Sequence, residues 1–429
     1  MKPTRKRLLL VANPFPPVAS GGNVRLVRFC RYLPDNGWDV TVLTARAHGP
    51  VTVPEGLDVV RARAVTPDGV YALARSGADA ARGVARRLRG RFRPQGDRPL
   101  AEAAVSQRTS RQKAINDWLF LPDTYAAWIP SATRAGRRLL AGTSFDAIMS
   151  SHPQASTELV AAALARSSGL PWLADYRDPW TTNELRRFAS GLHGQAHERL
   201  ESRALRRASR VTAVNEIILS NLTERFPFLE GRGAVITNGY DPGEAADEVA
   251  LGDGFWFVHT GRLYRRMTEV RAFLEALATL SDDVRVLFLG IQGQRVRAEA
   301  ERLGIAHRVR IEPFAPHSHA LGCQRAADAL LLLTVAKLES LTGKVFEYLA
   351  AGRPVFAVTP AGSAAQTLLE SAGLSSSAPA ERGLFEPLAS FVQAVRDGSL
   401  PPRDPGVVER YDARVLTAHL ADILDGMTS

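Results

Sequence analysis

Two glutamates separated by seven residues, Glu339 and Glu347, flank a stretch that is typical of a loop running into a helix. The helix should begin near Gly343 and end at Gly352, before another buried strand. Exposed backbone amides at a helix N-terminus, with Lys344 in the first turn, favour a diphosphate. A carboxylate one turn into the helix can accept both hydroxyls of a ribose, and the earlier carboxylate can hold hydroxyls of a sugar.

Further polar candidates follow predicted strands. His152 comes directly after a short apolar run, so it should lie at the carboxyl end of that strand, where parallel sheets bind ligands. Asp175, Arg177 and Asp178 follow the next predicted strand in the same way. Each candidate has a structural alternative: a loop histidine for His152, and a capping and ion-pair cluster for the other three.

Gly21 and Gly22 lie in the loop after the first predicted strand. Glycines there let backbone amides approach a phosphate or a sugar, although a tight turn between strand and helix needs them equally. The loop lacks the G-x-G-x-x-G spacing of dinucleotide-binding proteins, and no acidic residue ends the second strand at 43–46. The pattern therefore argues against an NAD enzyme.

The sequence gives little support for a metal site or a disulfide bond. Cys30 and Cys323 are the two cysteines, and they lie far apart in the sequence. His317 and His319 could suggest a metal, but without nearby carboxylates they indicate an ordinary loop. We therefore predict no metal ion and no cofactor.

These residues must be positioned by short apolar strands alternating with helices, which predicts parallel sheets covered on both faces. The strand-like runs are 8–12, 40–43, 57–61, 147–149, 172–174, 211–214, 255–260, 284–289, 309–312, 329–333 and 355–358. We expect an α/β chain with two doubly wound, Rossmann-like domains facing a central cleft. The predicted domains are 1–232 and 233–411, with a C-terminal helix at 412–429 that can pack on either of them.

The composition narrows the function. The 429 residues carry 54 Lys+Arg and 44 Asp+Glu, a net charge of +10, and arginine supplies most of the positive charge. Such a charge indicates an affinity for anions, but it includes compositional bias and no nucleic-acid recognition motif accompanies it. The N-terminal apolar run is too short for a signal peptide, and no run reaches the ~18–20 residues of a membrane span. We therefore expect a cytoplasmic protein.

A basic insertion at about 70–130 departs from the alternating pattern. It contains a run of arginines and then a group of aromatic residues. They are Arg82, Arg86, Arg87, Arg89, Arg91, Arg93, Trp118, Phe120, Tyr125 and Trp128. A solvated insertion with its aromatics folded back on the domain is one interpretation. The alternative interpretation is that the insertion makes peripheral contact with a membrane surface or binds a lipid-phosphate acceptor.

The order of the motifs resembles a known family. Glu-x7-Glu, followed by a helix of small residues and Gly352-Arg-Pro-Val355, resembles the donor site of the retaining glycosyltransferases of family 4, which have the GT-B fold. The loop at 13–22, the second strand at 37–44, Asn238-Gly-Tyr-Asp241 and His259-Thr-Gly-Arg-Leu263 look like further motifs of that family. Residues 150–153 and 175–180 resemble a branch that acts on surface polysaccharides or specialised metabolites.

The resemblance implies roles for individual residues. The N-terminal domain would lie on the acceptor side, with Asp175, Arg177 and Asp178, and the C-terminal domain would bind the nucleotide sugar. Glu347 would bind the ribose, while Glu339 and His152 would touch the transferred sugar. Gly21 and Gly22 would approach phosphate or sugar, and Gly343 would lie at the diphosphate.

The resemblance also implies that Arg262 meets the diphosphate and stabilises the leaving group. Many relatives have a lysine five or six residues further on, where this chain has Thr268. Arg266 or Lys344 would then supply the second cation.

These features predict a metal-independent, retaining glycosyltransferase. It would move a sugar from a nucleoside diphosphate sugar to an acceptor hydroxyl on a glycan, a lipid-linked molecule or a small molecule, and nucleic acid is not an expected partner. A nucleotide-sugar epimerase on the same fold and a non-catalytic binder of nucleotide sugars or anionic surfaces are the alternatives.

Overall fold

The structure is a computed structural model of the chain. It describes residues 5–18, 22–47, 49, 51–64, 121–183, 188, 190–263, 267–334, 341, 343–380 and 383–429. The arginines predicted at 82–93, together with Trp118 and Phe120, lie outside the described residues. Trp128 lies within them and is fully buried, and Tyr125 packs against the same core.

The chain folds into two compact units. The N-terminal unit contains residues 1–236 and 419–429, and the C-terminal unit contains residues 237–418. The predicted change of domain, at 232/233, falls before the strand at Gly233–Val235, which pairs within the N-terminal sheet.

The N-terminal unit is built on seven parallel strands. In chain order they are β1 (Lys6–Ala12), β2 (Trp38–Ala45), β3 (Asp58–Ala62), β4 (Ala147–His152), β5 (Trp172–Tyr176), β6 (Arg210–Ala213) and β7 (Gly233–Val235). Their order in the sheet is β3-β2-β1-β4-β5-β6-β7, so the direction of winding reverses between β1 and β4. At such a reversal the loops after two central strands leave the sheet on opposite sides and open a crevice.

Five described α-helices connect these strands or follow them. They are α1 (Asn23–Tyr32), α2 (Ile129–Gly142), α3 (Ala155–Ser168), α4 (Gly191–Leu205) and α5 (Glu216–Arg225). Large buried side chains such as Trp128, Trp172 and Trp180 join α2, α3, α4 and α5 to the sheet in one core.

The C-terminal unit repeats this plan with six parallel strands. They are β8 (Phe255–Thr260), β9 (Val284–Leu289), β10 (Val309–Glu312), β11 (Ala329–Leu333), β12 (Val355–Val358) and β13 (Ser375–Ala378). The order is β10-β9-β8-β11-β12-β13, with the reversal between β8 and β11. Neighbouring residues such as Leu330 and Leu331 belong to different hydrophobic clusters, so this sheet is covered on both faces.

The helices of this unit complete both layers. They are α6 (Thr268–Ala278), α7 (Gln294–Arg302), α8 (His317–Ala326), α9 (Gly343–Ala351), α10 (Ala364–Ser371), α11 (Phe385–Arg396) and α12 (Pro405–Glu409). The last helix, α13 (Ala413–Thr428), begins in the C-terminal unit and ends in the N-terminal unit.

The end of α13 is attached to the N-terminal sheet by Asp425. Its carboxylate lies 2.8 Å from Lys6 Nζ and accepts a hydrogen bond of 3.2 Å from Trp38 Nε1. The Lys6 ammonium also lies 5.4 Å from the centre of the Trp38 ring, a cation–π contact.

The predicted α/β class with two doubly wound sheets is confirmed. All the strands predicted from apolar runs are present within one or two residues at most ends, whereas β7 and β13 were not predicted. In the described part of the chain, no helix has the length and apolar character to cross a membrane.

Candidate functional site

The carboxyl edge of the C-terminal sheet is shaped by two glycine turns. Gly261 follows β8 with φ of +85°, and Gly290 follows β9 with φ of +95°. A Cβ atom at Gly290 would lie 3.2 Å from the Gly261 Cα, so the two turns touch along their backbones. Glycine suits both positions because other residues disfavour this φ, and a side chain at Gly290 would also separate the two turns.

Lys344 enters this edge from the first turn of α9. Its Nζ atom lies 3.3 Å from His259 Nε2 and 3.3 Å from the backbone oxygen of Arg262. The Lys344 Cε atom would be 2.9 Å from a Cβ at Gly261, so the lysine stem passes directly under the turn after β8. The ammonium is therefore held at the edge by two acceptors.

His259 is a fixed acceptor for Lys344. The ring is fully buried, and its Nδ1 lies 2.9 Å from the backbone oxygen of Leu331, which can only accept a hydrogen bond. The proton must therefore be on Nδ1, which leaves the lone pair of Nε2 directed at the lysine. Burial and the neighbouring Lys344 lower the pKa of His259 to about 3, so the ring is neutral at physiological pH.

The surroundings of Lys344 also favour the uncharged form of its amine. Burial lowers its pKa to about 8, although the carboxylate of Glu347 opposes the shift. An anion placed at the N-terminus of α9 would favour the charged form. A bound phosphate should therefore raise the pKa of Lys344 and stabilise its ammonium form.

Glu347 lies one turn after Lys344 and is oriented by a residue that the sequence analysis missed. Gln324 Nε2 donates to Glu347 Oε2 at 3.2 Å and to Thr260 Oγ1 at 2.9 Å. Gln324 is fully buried in α8, so it connects the carboxylate to the end of β8. Positions i and i+3 share one face of a helix, which places Lys344 and Glu347 side by side.

The structure describes some of the other predicted donor-binding residues. Arg262 is exposed directly after β8, and its guanidinium has no hydrogen-bond or ion-pair partner among the described residues. Gly343 is exposed as the first residue of α9. Glu339 and Arg266 lie outside the described residues. The structure thus brings together Arg262, Gly343, Lys344 and Glu347 at one edge.

His317 and His319 are in the first turn of α8 rather than in the predicted loop. His317 Nε2 lies 3.2 Å from Glu244 Oε2, and His319 lies between Asp247 and Glu312 at 3.7 and 3.6 Å. The expectation that no carboxylates are near these histidines is therefore wrong: Glu244 and Asp247 come from a distant part of the chain, and Glu312 ends the strand just before them. Among the described residues, no group of three or more such side chains has the geometry of a metal site.

In the N-terminal unit, Asp175 forms a buried ion pair. The residue is fully buried, and its Oδ1 lies 3.0 Å from Arg25 Nη2. Thr212 and Ser151 each donate a hydrogen bond of 2.9 Å to the same carboxylate. Arg25 also donates to the backbone oxygen of Ile236 at 2.8 Å, so the network connects α1 and three strands to the end of the unit. These contacts favour the ion-pair cluster over contact with an acceptor.

Arg177 and Asp178 lie beyond the end of β5 and are more accessible. Both nitrogens on one edge of the Arg177 guanidinium, Nε and Nη2, contact Asp178 Oδ2 at 3.1 and 2.8 Å. A Cβ atom at Gly22 would coincide with this guanidinium. Gly22 has ordinary right-handed helical angles, so the space taken by Arg177, and not its backbone conformation, accounts for the glycine. Gly21 lies outside the described residues.

His152 ends β4, as the sequence predicted, but its ring is only 2% exposed. It stacks on Tyr176, with ring centres 5.5 Å apart and planes within 5°, and on Trp180 at 6.2 Å. This position under the carboxyl edge agrees with the structural alternative left open by the sequence. Its contact with a sugar stays a prediction.

Another buried group near this edge is Glu158, which the sequence analysis missed. Ser150 Oγ donates to its Oε2 at 2.7 Å, and Trp172 Nε1 donates to Ser150 Oγ at 2.9 Å. Burial raises the pKa of Glu158 to about 8, so the side chain is a neutral acid at physiological pH. A glutamate in a helical pattern gives no sequence signal for such burial.

The two doubly wound sheets, with a cationic helix N-terminus at a carboxyl edge, define the chain as a GT-B glycosyltransferase. Residues 20–239 match the family model described as glycosyl transferase 4-like domain, and residues 254–385 match glycosyl transferases group 1. The chain belongs to this glycosyl transferase 4-like family. The comparison with curated proteins gives no match.

Solved structures share the fold over their full lengths. Anabaena Alr3699/HepE in complex with UDP is 14% identical, with a TM-score of 0.63, and the match covers 98% of this chain and 100% of that chain. The lipopolysaccharide outer core galactosyltransferase WaaB is 11% identical, with a TM-score of 0.58 and coverage of 98% and 99%. WaaG, a glycosyltransferase of lipopolysaccharide biosynthesis, is 14% identical, with a TM-score of 0.55 and coverage of 97% and 100%.

We expect Asp175→Ala to destabilise the N-terminal unit by about 3–5 kcal/mol, because it leaves the buried Arg25 guanidinium without its counter-charge. Urea unfolding followed by tryptophan fluorescence would measure the change. Asp178→Ala is the matched control: Asp178 is 42% exposed in its pair with Arg177, so the cost should stay below about 1 kcal/mol. Equal losses for the two variants would contradict the structural role of Asp175.

Proposed function

We propose that the protein transfers a sugar from a nucleoside diphosphate sugar to an acceptor hydroxyl, with retention of anomeric configuration and without a metal ion. The observation that carries the proposal is the position of Lys344. Its ammonium is held at the N-terminus of α9 by His259 and the Arg262 backbone, one turn before Glu347.

The diphosphate would bind between Arg262 and the start of α9. Arg262 offers an exposed guanidinium, α9 offers the free amides of its first turn, and Lys344 offers a partly buried ammonium. UDP is the nucleotide to test first, because HepE has been solved in complexes with UDP and with UDP-glucose.

Glu347 would accept the two ribose hydroxyls. Gln324 takes part in this step as a positioning residue, since its amide nitrogen holds one carboxylate oxygen from behind. The fixed carboxylate can then accept two hydrogen bonds without first losing side-chain freedom.

In the transfer step, the bond between the anomeric carbon and the diphosphate oxygen breaks while the acceptor oxygen attacks from the same face. The acceptor proton passes to the departing diphosphate. Arg262 and Lys344 would stabilise the charge that develops on that leaving group, which is the task that a divalent metal performs in other transferases. Glu339 would hold hydroxyls of the transferred sugar, as the family resemblance implies.

The acceptor would be a glycan, a lipid-linked molecule or a small molecule. Arg177 is the best placed of the three predicted acceptor-side residues, because it lies against Gly22 and remains partly exposed. A role in polysaccharide biosynthesis and a cytoplasmic location remain predictions. Two proteins that share the fold are WaaB, a lipopolysaccharide outer core galactosyltransferase, and WaaG, a glycosyltransferase involved in lipopolysaccharide biosynthesis.

UDP affinity should fall as the pH rises through about 8. In the free protein the pKa of Lys344 is lowered to about 8, so the ammonium is present below that pH and lost above it. A bound diphosphate favours the charged form, so raising the pH from 7 to 9 should weaken binding by up to about tenfold. Titration calorimetry with UDP over this range would measure the change.

Two variants test whether Lys344 causes this pH dependence. Lys344→Ala should weaken UDP binding at pH 7 by about 10–100-fold, as expected for a lost charge-assisted hydrogen bond, and remove the pH dependence. Lys344→Arg keeps its charge throughout, so binding should no longer change between pH 7 and 9. A wild-type pH profile in Lys344→Ala would show that another group causes the change.

The reaction is tested by nucleotide release with a panel of acceptors. We expect UDP to appear only when an acceptor is present, the product to keep the donor's anomeric configuration by NMR, and EDTA to have no effect. Arg262→Ala should lower turnover by about 10²–10³-fold, since one stabilising donor of the leaving group is lost. Conversion of the sugar without acceptor-dependent release would identify an epimerase, and binding without turnover would identify a non-catalytic protein.

A further inference from the structure

The stretch that follows β5 in the N-terminal unit, residues 177–182, combines accessible and buried side chains. We call it the β5 segment. Arg177 and Asp178 remain partly accessible, with 19% and 42% of their side chains exposed. Trp180, two residues further on, is fully buried. The first part of the segment can therefore meet a ligand, while the next part attaches the segment to the unit.

Trp180 contacts both the end of β4 and the helix α4. Its ring stacks on His152, with ring centres 6.2 Å apart and planes at 22°. Its Nε1 donates a hydrogen bond of 3.1 Å to Nδ1 of His197, a buried residue of α4. An indole N–H can only donate, so Nδ1 of His197 must be the nitrogen without a proton. This hydrogen bond fixes the orientation of the Trp180 ring in addition to its burial.

Thr181 is held by a buried ion pair. Glu201 of α4 is fully buried, and its Oε2 lies 3.1 Å from Nη2 of Arg225, the last residue of α5. The Thr181 hydroxyl donates to the same Glu201 oxygen and accepts from the same Arg225 nitrogen. One hydroxyl thus uses its donor and an acceptor lone pair within a single ion pair, which leaves it one favourable position.

The attachment continues at the next residue. Thr182 Oγ1 donates a hydrogen bond of 3.0 Å to Oδ1 of Asn221 on α5. Three consecutive residues of the β5 segment are therefore bound to α4 and α5 through their side chains. Pro179 separates them from Asp178, and its ring fixes φ at about −65°. Few torsion angles remain free between the attached residues and the accessible ones.

The accessible part presents a pair of opposite charges. Arg177 contacts Asp178 through two of its nitrogens, and the Arg177 guanidinium fills the space beside Gly22. An acceptor hydroxyl could accept from the guanidinium or donate to the carboxylate. Hydrogen bonds weaken steeply away from their preferred angles, so both contacts depend on how the segment is held.

Stability alone does not account for the groups that hold it. Replacing a buried ion pair by apolar side chains of similar volume often leaves stability unchanged or raises it, because both charges must be taken out of water. Apolar residues could bury this segment equally well, but they have no directional contact with the Thr181 hydroxyl or the Trp180 N–H. What His197 and Glu201 add is therefore a defined position.

We propose that His197 and Glu201 are positioning residues for the acceptor. They fix Trp180 and Thr181, and through them the place where Arg177 and Asp178 meet an acceptor hydroxyl. The inference rests on the proposed transfer to an acceptor and adds to it two residues of α4 that act through the β5 segment. The proposed donor residues belong to the other unit, so the affinity for UDP should not depend on His197 or Glu201.

Thr181→Val tests the proposal, because it removes the bridging hydroxyl from a side chain of nearly the same shape. In the full chain, amide hydrogen exchange of residues 177–183, followed by mass spectrometry, should become about tenfold faster, as expected for a lost hydrogen bond to charged groups. The KM of the acceptor that reacts fastest in the panel described above should rise about tenfold, while calorimetry should give a Kd of UDP within about twofold of the wild type.

Two more variants separate position from burial. Thr181→Ser keeps the hydroxyl, so hydrogen exchange and acceptor KM should both return towards the wild-type values. His197→Leu leaves Trp180 Nε1 without its acceptor and should act in the same direction as Thr181→Val. Thr223→Val is the matched control, since the Thr223 hydroxyl bonds to backbone oxygens within α5, and it should change neither value.

The outcomes distinguish this inference from the function on which it rests. Unchanged exchange of residues 177–183 in both Thr181→Val and His197→Leu would overturn the inference. Faster exchange and a lower Tm with an unchanged acceptor KM would overturn it too, because a merely structural role predicts that result. UDP release by the wild type that does not depend on any acceptor would instead contradict the proposed function, and this inference with it.

Discussion

Every pair of neighbouring strands in both sheets is parallel, and the rest of the molecule depends on this constraint. A parallel connection must cross back to the opposite end of the sheet, usually through a helix, so every loop that follows a strand lies at the same edge of the sheet. Thr260, Gly290 and Gly343 come together for this reason, although more than 80 residues separate the first from the last. Buried strands exclude water below that edge, so charges placed there have few competing partners.

The local part of the site could be predicted, and its long-range part could not. Gly343, Lys344 and Glu347 follow from the spacing within one helix. The acceptor that holds Lys344 is His259, which lies 85 residues earlier, and only the pairing of β8 with β11 makes it a neutral, fixed base. The choice between the two interpretations of Asp175 could not be made from the sequence for the same reason, because its counter-ion Arg25 lies 150 residues away and a sequence gives no measure of burial.

The fold was more predictable than the site. Two strands, β7 and β13, were not predicted, and both were missed for the same reason. The strands β7 and β13 are edge strands of three and four residues. An edge strand has one neighbour and need not be apolar throughout, so Ser375–Ala378 lacks the hydrophobic run that marked the central strands. By contrast, β1, β4 and β11 are almost entirely buried, and their apolar runs identified them directly.

The division of α13 between the two units affects how the protein can be made. The C-terminal unit is one continuous stretch, residues 237–418, and it can be completed as soon as that stretch has left the ribosome. The N-terminal unit is started first but needs residues 419–429, whose Asp425 holds Lys6 and Trp38. During synthesis, the larger unit must therefore wait with an uncovered patch beside Trp38 until translation has passed the smaller one.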